Sequence, residues 1–284
     1  MRGAGLSAKA RGAAGKRTNA ILLIGAGRMG GALLKGWIAK GIGPVEVVEP
    51  HPSPALRKLA KASGIALHAD LSTAPQRLRA CVVALKPQLL KTEAATLRSI
   101  AESGALMISI AAGTSIKSMT KAWGARARIV RAMPNTPGSI GRGISALHAS
   151  SGATASDHRL AESLLAALGQ TVWVKREALI DAATALSGSG PAYVFLLVEA
   201  LAEAGKAEGL PADVAQRLAR ATVCGAGALL DADPRPAADL RRDVTSPGGT
   251  TEAALAVLMA DDGLRALMAR AVAAANRRAK ALSA

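Results

Sequence analysis

Aromatic residues are nearly absent: one tyrosine, one phenylalanine and three tryptophans make up 2% of 284 residues. Base-stacking platforms need aromatics, so nucleic-acid binding is not expected even though the formal charge is +16. The basic residues also form no long block. Cysteine is as scarce: Cys81 and Cys224 lie far apart without metal-ligand spacing. That excludes a disulfide framework and fits a reducing, cytoplasmic setting. His148 and His158 stand alone, with no second ligand suitably spaced, so both are expected as core or partly exposed side chains and no metal site is expected. No stretch of about twenty apolar residues is free of charges or breakers, so no membrane span is expected. Acids are missing from residues 1–18, which hold five of the positive charges (Arg2, Lys9, Arg11, Lys16, Arg17) and leave +11 on the rest. That field attracts anionic ligands. The segment has no apolar h-region, so it is no secretory signal; its composition resembles a transit peptide, and it reads as a disordered basic leader.

What the chain does have is apolar residues, half of the total, and alanine above all. A sizeable core needs no metal or disulfide, and the helices should pack closely. The length suits one large or two ordinary domains. The organising stretch is residues 20–30, an apolar run ending in G-x-G-x-x-G. Residues 20–24 lack a polar face and read as a buried parallel strand. Gly25 allows a sharp turn, Gly27 leaves room for a pyrophosphate, and Gly30 lets the next helix pack against the strand. That helix, residues 29–40, aims its first N–H groups at the phosphates. Glu49 closes a second apolar run, 45–48, at the spacing of a ribose-binding acid.

Further along, a helix is expected at 55–63, a short strand at 65–67 and a buried strand at 80–85, halted by Lys86-Pro87. Lys86 is thereby left at the carboxyl end of a strand, the edge where open α/β sheets bind ligands. A helix at 89–101, a strand at 105–110 and the small residues Ala111-Ala112-Gly113 follow; the last permit close approach of a flat ring. A helix at 115–123, capped by Thr114 or Ser115, precedes a strand at 129–133. Strands at 144–148 and 171–175 flank a helix at 157–167. The alternation of β and α predicts an α/β fold: a Rossmann-like, doubly wound parallel sheet. From Glu177 onward helical periodicity takes over. Tyr193, Leu196, Leu197, Ala200, Leu201 and Ala204 share one helix face; helices are expected at 211–231, from about Thr250 and from about Asp262. The domain reading is a leader (1–18), a dinucleotide-binding domain (19–177) and an all-α dimerisation and substrate-binding domain (178–284). The broadly apolar helices are expected to bury a face in an intertwined dimer.

Two stretches of the second half read as neither helix nor plain linker: Ser187-Gly188-Ser189-Gly190-Pro191-Ala192-Tyr193 and Thr245-Ser246-Pro247-Gly248-Gly249-Thr250-Thr251. Hydroxyls beside glycine and proline, just before an apolar helix, make a cradle for an anion such as a carboxylate. A well-capped helix start with no ligand is the alternative for each.

With these motifs in view, the chain resembles the pyrroline-5-carboxylate reductase family from about Ala20 to the C-terminal region. The matching stretches are 24–29 (IGAGRM), 84–88 (ALKPQ), 109–113 (SIAAG), 131–137 (RAMPNTP), 187–193 and 243–251, the last being the family's signature. The resemblance implies reduction of 1-pyrroline-5-carboxylate to L-proline by NADPH or NADH, the final step of proline biosynthesis. It implies a homodimer, with decamers as a larger assembly, and a signature loop supplied by the partner subunit. Carried over by position, Ile24, Gly25, Ala26, Gly27, Arg28, Met29, Ala84, Leu85, Lys86, Pro87, Ala112 and Asp243 are expected to contact the coenzyme, joined by Glu49. Ser246, Gly248, Gly249, Thr250 and Thr251 are expected to hold the substrate, with Ser246 and Thr251 closest to the reacting imine.

Hydride transfer to a C=N carbon needs no metal and no covalent nucleophile, only positioning and a protonated imine nitrogen. No His–Asp pair offers a strong acid. The imine therefore arrives protonated, or the Thr251 hydroxyl and water relay the proton. Glu49 suits the free 2′-hydroxyl of NADH and repels the 2′-phosphate of NADPH, which His51, Arg57 and Lys58 would offset; the lean is towards NADH. A β-hydroxyacid dehydrogenase would want a lysine in the first long helix, where Lys206 lies deep. A non-catalytic dinucleotide-binding protein would leave the signature hydroxyls without purpose.

Overall fold

A computed structural model describes residues 19–75 and 77–283. The expected leader, 1–18, lies outside them. The elements are β1 (Ile21–Ile24), α1 (Arg28–Ala39), β2 (Val45–Val48), α2 (Pro54–Ala62), β3 (Ala66–His68), β4 (Ala80–Val83), α3 (Pro87–Glu93), α4 (Arg98–Glu102), β5 (Leu106–Ser109), α5 (Ile116–Trp123), β6 (Arg128–Met133), β7 (Gly143–Ala149), α6 (Ala155–Leu165) and β8 (Gly169–Trp173). The helical half follows: α7 (Ala178–Ala183), α8 (Gly190–Ala207), α9 (Ala212–Ala232), α10 (Ala237–Asp243), α11 (Thr250–Leu258) and α12 (Leu264–Ser283). The strands form one sheet in the order β3-β2-β1-β4-β5-β6-β7-β8. The chain divides into two units interleaved in sequence. The first runs to Ser109 and adds Ile116–Val130 and Ala149–Leu164; the second takes Ile110–Ser115, Arg131–His148 and the chain from Leu165 onward.

In the first unit β1 pairs in parallel with both β2 and β4, placing Ile24 beside Val48 and Val83. The order reverses on either side of β1, which makes this the switch point where a parallel sheet opens a crevice. Every residue of β1, β4 and β5 is buried, as expected of strands covered on both faces. Each large side chain so buried contributes about 1.5–3 kcal/mol. The buried Trp37 and Trp123 keep their indole N–H groups satisfied on Leu164 O (2.8 Å) and Ala94 O (3.0 Å). The helix expected over 89–101 is instead broken: a 3₁₀ turn at Ala94–Leu97 separates α3 from α4. Thr92 and Thr96 hydroxyls donate to the carbonyls of Leu89 and Glu93, taking acceptors that a straight helix uses.

In the second unit β7 and β8 are parallel, with Gly143 opposite Gly169. A Cβ on Gly169 (φ +127°) would strike the Gly143 backbone, so the glycine allows the pairing and starts β8 two residues earlier than the apolar pattern predicts. Residues 187–193 are a correction. They are helical: a π turn at Thr184–Gly188 carries α7 into α8. Taken together, Ala178–Ala207 is long and apolar enough by length and composition to cross a membrane, although it carries Asp181, Glu199, Glu203 and Pro191; 11% of its apolar window is buried. Ala202 is the buried residue of α8, whereas Leu196, Leu197 and Leu201 of the expected apolar side are exposed, as is Phe195. Helix α10 was not expected. It is short and follows Pro234 and Pro236, and Arg235 holds it by bonding both Asp233 and Asp243.

Candidate active site

The glycine turn of the first unit is built by close approach. Gly25 has φ +86°, and a Cβ there would lie 2.9 Å from Ala84 O. A Cβ on Gly30 would collide with Gly25 O and sit 3.1 Å from the Ala84 Cβ. A Cβ on Gly27 would meet nothing within 4 Å. The three glycines thus divide into two that close the turn and one that leaves open space in front of it. α1 starts there without a side-chain cap and without an acid in its first turn. The N–H groups of Arg28, Met29 and Gly30 have no intrahelical acceptor, which leaves them to a phosphate.

Glu49 braces this turn. Its Oε2 accepts the Ala26 N–H at 2.9 Å and its Oε1 the His51 N–H at 3.2 Å. Each oxygen keeps a further lone pair for a ribose hydroxyl. The acid expected to read the ribose therefore also holds the peptide that faces the pyrophosphate, a role its spacing alone did not reveal. Ala84 and Leu85 follow β4, and Lys86 is the exposed residue that precedes α3, with Pro87 at its first position. A mainly apolar cavity of about 550 Å³ opens at the carboxyl ends of β1, β2 and β4, lined by Ile24, Val48, Pro50, Asp70, Leu71, Leu85 and Leu89 among others. It suits a flat heteroaromatic ring. Sequence reasoning missed Asp70, Leu71 and Leu89, which carry only the look of a turn and a helix. Ser72 donates twice to Asp70 and holds its carboxyl below the usual carboxylate range. Open space at Gly27, uncapped N–H groups and this slot fit a dinucleotide.

In the second unit Ala112 lies in the turn 110–115. Thr114, next but one, is 6% exposed, and its hydroxyl has no partner among the described residues. It does not cap α5, so that half of the capping expectation fails. The signature turn is exposed. Gly248 (φ +71°) donates its N–H to Glu252 Oε2 at 2.7 Å, and Gly249 N–H reaches Ser246 O at 3.0 Å. A Cβ on Gly249 would collide with the Ser246 Oγ, so only glycine lets that hydroxyl sit over the turn. α11 starts without a side-chain cap, leaving the N–H groups of Thr250 and Thr251 open. The hydroxyls of Ser246, Thr250 and Thr251 belong to the same turn and have no partner among the described residues. Glu252 already occupies the Gly248 N–H, so Gly248 shapes the turn rather than offering a donor. Asp243 Oδ2 is ion-paired with Arg235 Nη2 at 3.0 Å.

The other candidates fall to ordinary roles. Ser187 and Thr184 hydroxyls donate back to Ala183 O and Ile180 O, and Tyr193 OH to Ala185 O. Within the first hydroxyl-rich stretch the Ser187 and Tyr193 hydroxyls are thus spent on the helix's own carbonyls. His148 bonds Val174 O through Nδ1 at 2.9 Å. Lys206 is paired with Glu203 at 2.7 Å near the end of α8. No cluster of three metal-ligating residues exists among the described residues. Burial pushes the Cys81 thiol well up, which makes it inert.

Comparison with known proteins gives two matches to described families. Residues 20–113 match "NADP oxidoreductase coenzyme F420-dependent", and residues 177–282 match "Pyrroline-5-carboxylate reductase dimerisation". The chain is 36% identical over 261 residues to the pyrroline-5-carboxylate reductase of Pisum sativum, covering 92% of this chain and 94% of that protein. The structure of a pyrroline-5-carboxylate reductase from Coxiella burnetii is similar at TM-score 0.87 and 38% identity, covering 95% of this chain and 100% of that one. A Plasmodium falciparum pyrroline carboxylate reductase solved with NADP bound aligns at TM-score 0.78 and 26% identity, over 95% of this chain and 100% of that one.

Proposed function

This chain belongs to the pyrroline-5-carboxylate reductase family, and from that premise we propose that it reduces 1-pyrroline-5-carboxylate to L-proline with NADPH or NADH. The observation that carries the proposal is the pair of uncapped helix starts, α1 and α11, one shaped for a pyrophosphate and the other for a small carboxylate. The bound coenzyme supplies a hydride. The chain's own residues do the rest. Ile24, Gly25, Ala26, Gly27, Arg28 and Met29 form the phosphate cradle, Glu49 braces it, and Ala84, Leu85, Lys86 and Pro87 border the slot beside it. Ala112 offers a small surface for a flat ring. Thr250 and Thr251 N–H groups hold the substrate carboxylate together with the Ser246 and Thr250 hydroxyls. Thr251 and a water pass a proton to the ring nitrogen, or the imine arrives protonated. Asp243, paired with Arg235, is read as a polar contact to the coenzyme.

The domain reading remains 19–177 for the dinucleotide and 178–284 for dimerisation and substrate, supported by the extent of the dimerisation match. The exposed apolar residues of α8 and α9, from Phe195 to Leu230, form the dimer face. The partner subunit supplies the signature turn, and dimers associate further into decamers. The same face accounts for the apolar run of α7 and α8 without a membrane. The enzyme works in the cytoplasm and binds no nucleic acid. The test is oxidation of NADPH and of NADH by the purified protein with pyrroline-5-carboxylate, alongside light scattering for assembly size. Turnover with either coenzyme in a dimer or larger supports the reading. Coenzyme binding without turnover, or an active monomer, overturns it.

A further inference from the structure

A buried arginine holds the turn that carries Ala112. Arg131, on β6, leaves 3% of its side chain exposed. Its Nη1 donates to Glu177 Oε1 at 2.9 Å. Its Nη2 donates to Asp181 Oδ1 at 2.9 Å and to Ser283 Oγ at 3.1 Å. Ser283 in turn donates to Asp181 Oδ1 at 2.9 Å. One cation therefore ties β6, α7 and the last turn of α12, all within the second unit.

The neighbour of Ser283 reaches the turn 110–115. A Cβ on Gly113 (φ +65°) would lie 2.9 Å from both the Cβ and the carbonyl oxygen of Leu282. The backbone at Gly113 thus rests directly on the end of α12, with no side chain between. Thr114, the next residue, buries a hydroxyl with no partner among the described residues, although a buried polar group is normally satisfied. Buried ion pairs add little net stability, because desolvation offsets attraction, and their best-supported use is to fix one arrangement among several.

We propose that Arg131 is a positioning residue for the coenzyme: through Asp181 and Ser283 it seats the end of α12 under Gly113 and so sets where Ala112 meets the nicotinamide. The inference rests on the reading of Ala112 as a coenzyme contact. Arg131 itself touches neither coenzyme nor substrate. Its influence passes through two hydroxyl bonds and one backbone contact, so it acts on coenzyme affinity and not on the carboxylate turn.

The experiment is steady-state kinetics on the full chain with Ser283→Ala, Ser283→Thr, Arg131→Lys and Ala112→Val, beside thermal melting. Losing a hydrogen bond of ordinary strength corresponds to a rise of roughly three- to tenfold in KM for NAD(P)H in Ser283→Ala. KM for the imine stays unchanged, Ser283→Thr restores the coenzyme KM, and Arg131→Lys raises it further. A rise in both KM values together with a lowered Tm means a merely structural role and overturns the proposal. So does an unchanged coenzyme KM in Ser283→Ala when Ala112→Val raises it, which leaves the coenzyme reading standing. If Ala112→Val is also silent, the turn is not a coenzyme contact and both fall together.

Discussion

Two helix starts, at α1 and α11, do similar electrostatic work with opposite construction. Both lack a side-chain cap and both end a glycine-bearing turn. At α1 the turn is packed: Gly25 and Gly30 lie within contact of Ala84 and of each other, and Glu49 fastens Ala26 from β2's end. At α11 the turn is held by its own short-range bonds, Gly248 to Glu252 and Gly249 to Ser246, and its residues are mostly exposed. The first is finished by the chain that contains it. The second keeps its hydroxyls unspent and its surface bare, as a half-site does before its other half arrives. Preorganisation in the first comes from burial, and in the second from local closure.

Substitutions sharpen the contrast. The largest effect belongs to Gly30→Ala. The added Cβ collides with Gly25 O and presses on Ala84, so overpacking of about 1–3 kcal/mol is expected and coenzyme binding is lost; melting and NADPH fluorescence titration report both. Gly27→Val separates affinity from folding. Its side chain enters open space, so Tm holds while coenzyme affinity falls by roughly a hundredfold, about 2.7 kcal/mol. If Gly27→Val melts early, the open space is not where a ligand sits.

At the other start, Thr251→Ala is expected to lower kcat/KM by about tenfold to a hundredfold, in line with one lost hydrogen bond to a charged or reacting group, without changing coenzyme affinity. An unchanged pH profile and kcat/KM would remove Thr251 from the proton path. Glu252→Ala frees the Gly248 N–H and loosens the turn, raising the substrate KM a few-fold, roughly the value of one hydrogen bond; Glu252→Gln, which still accepts that N–H, stays close to the parent.

Much of the first start was legible because each feature is local. The apolar run, the three glycines and Glu49 lie within thirty residues and carry periodicity, spacing and stereochemistry that point one way. The slot beside it was not, because Asp70 and Leu89 come from separate connections that meet only in the folded sheet. The stretch 187–193 misled for a different reason. Serine, glycine and proline suggest a loop, but a π turn continues the helix and the Ser187 hydroxyl donates to Ala183 O within it. The Arg131 cluster was silent in sequence, since its members lie 46, 50 and 152 residues from it. The short helix α10 hid behind prolines and is set by ion pairs that periodicity does not report.

Glu49→Gln probes how far the brace and the ribose contact share one carboxylate. The amide still accepts the Ala26 N–H, so the turn survives, while the lost charge removes repulsion of a 2′-phosphate. The ratio of KM for NADPH to KM for NADH is expected to fall about threefold to tenfold, an ordinary coulombic effect near a surface. The smallest effect lies at α10. Arg235 holds the Asp233 carboxyl below its ordinary value. A depressed folded-state pKa contributes stability above the unfolded value, and that contribution disappears as pH falls through the folded value, below about pH 4. Arg235 is exposed and Asp233 partly so, and water screens the pair, so only a slight flattening of the acid limb of Tm against pH is expected in Asp233→Asn.

The central claim is that the coenzyme cradle of one chain works with the Ser246–Thr251 turn of its partner. Two differently tagged chains test it, one carrying Gly27→Val and the other Ser246→Ala with Thr251→Ala, co-expressed and purified through both tags. Each parent is nearly inactive. In the mixed dimer one of the two sites joins an intact cradle to an intact turn, so the account predicts recovery of about half the turnover of the unsubstituted dimer, the share set by two-fold symmetry. A purified mixed dimer as inactive as its parents would contradict it.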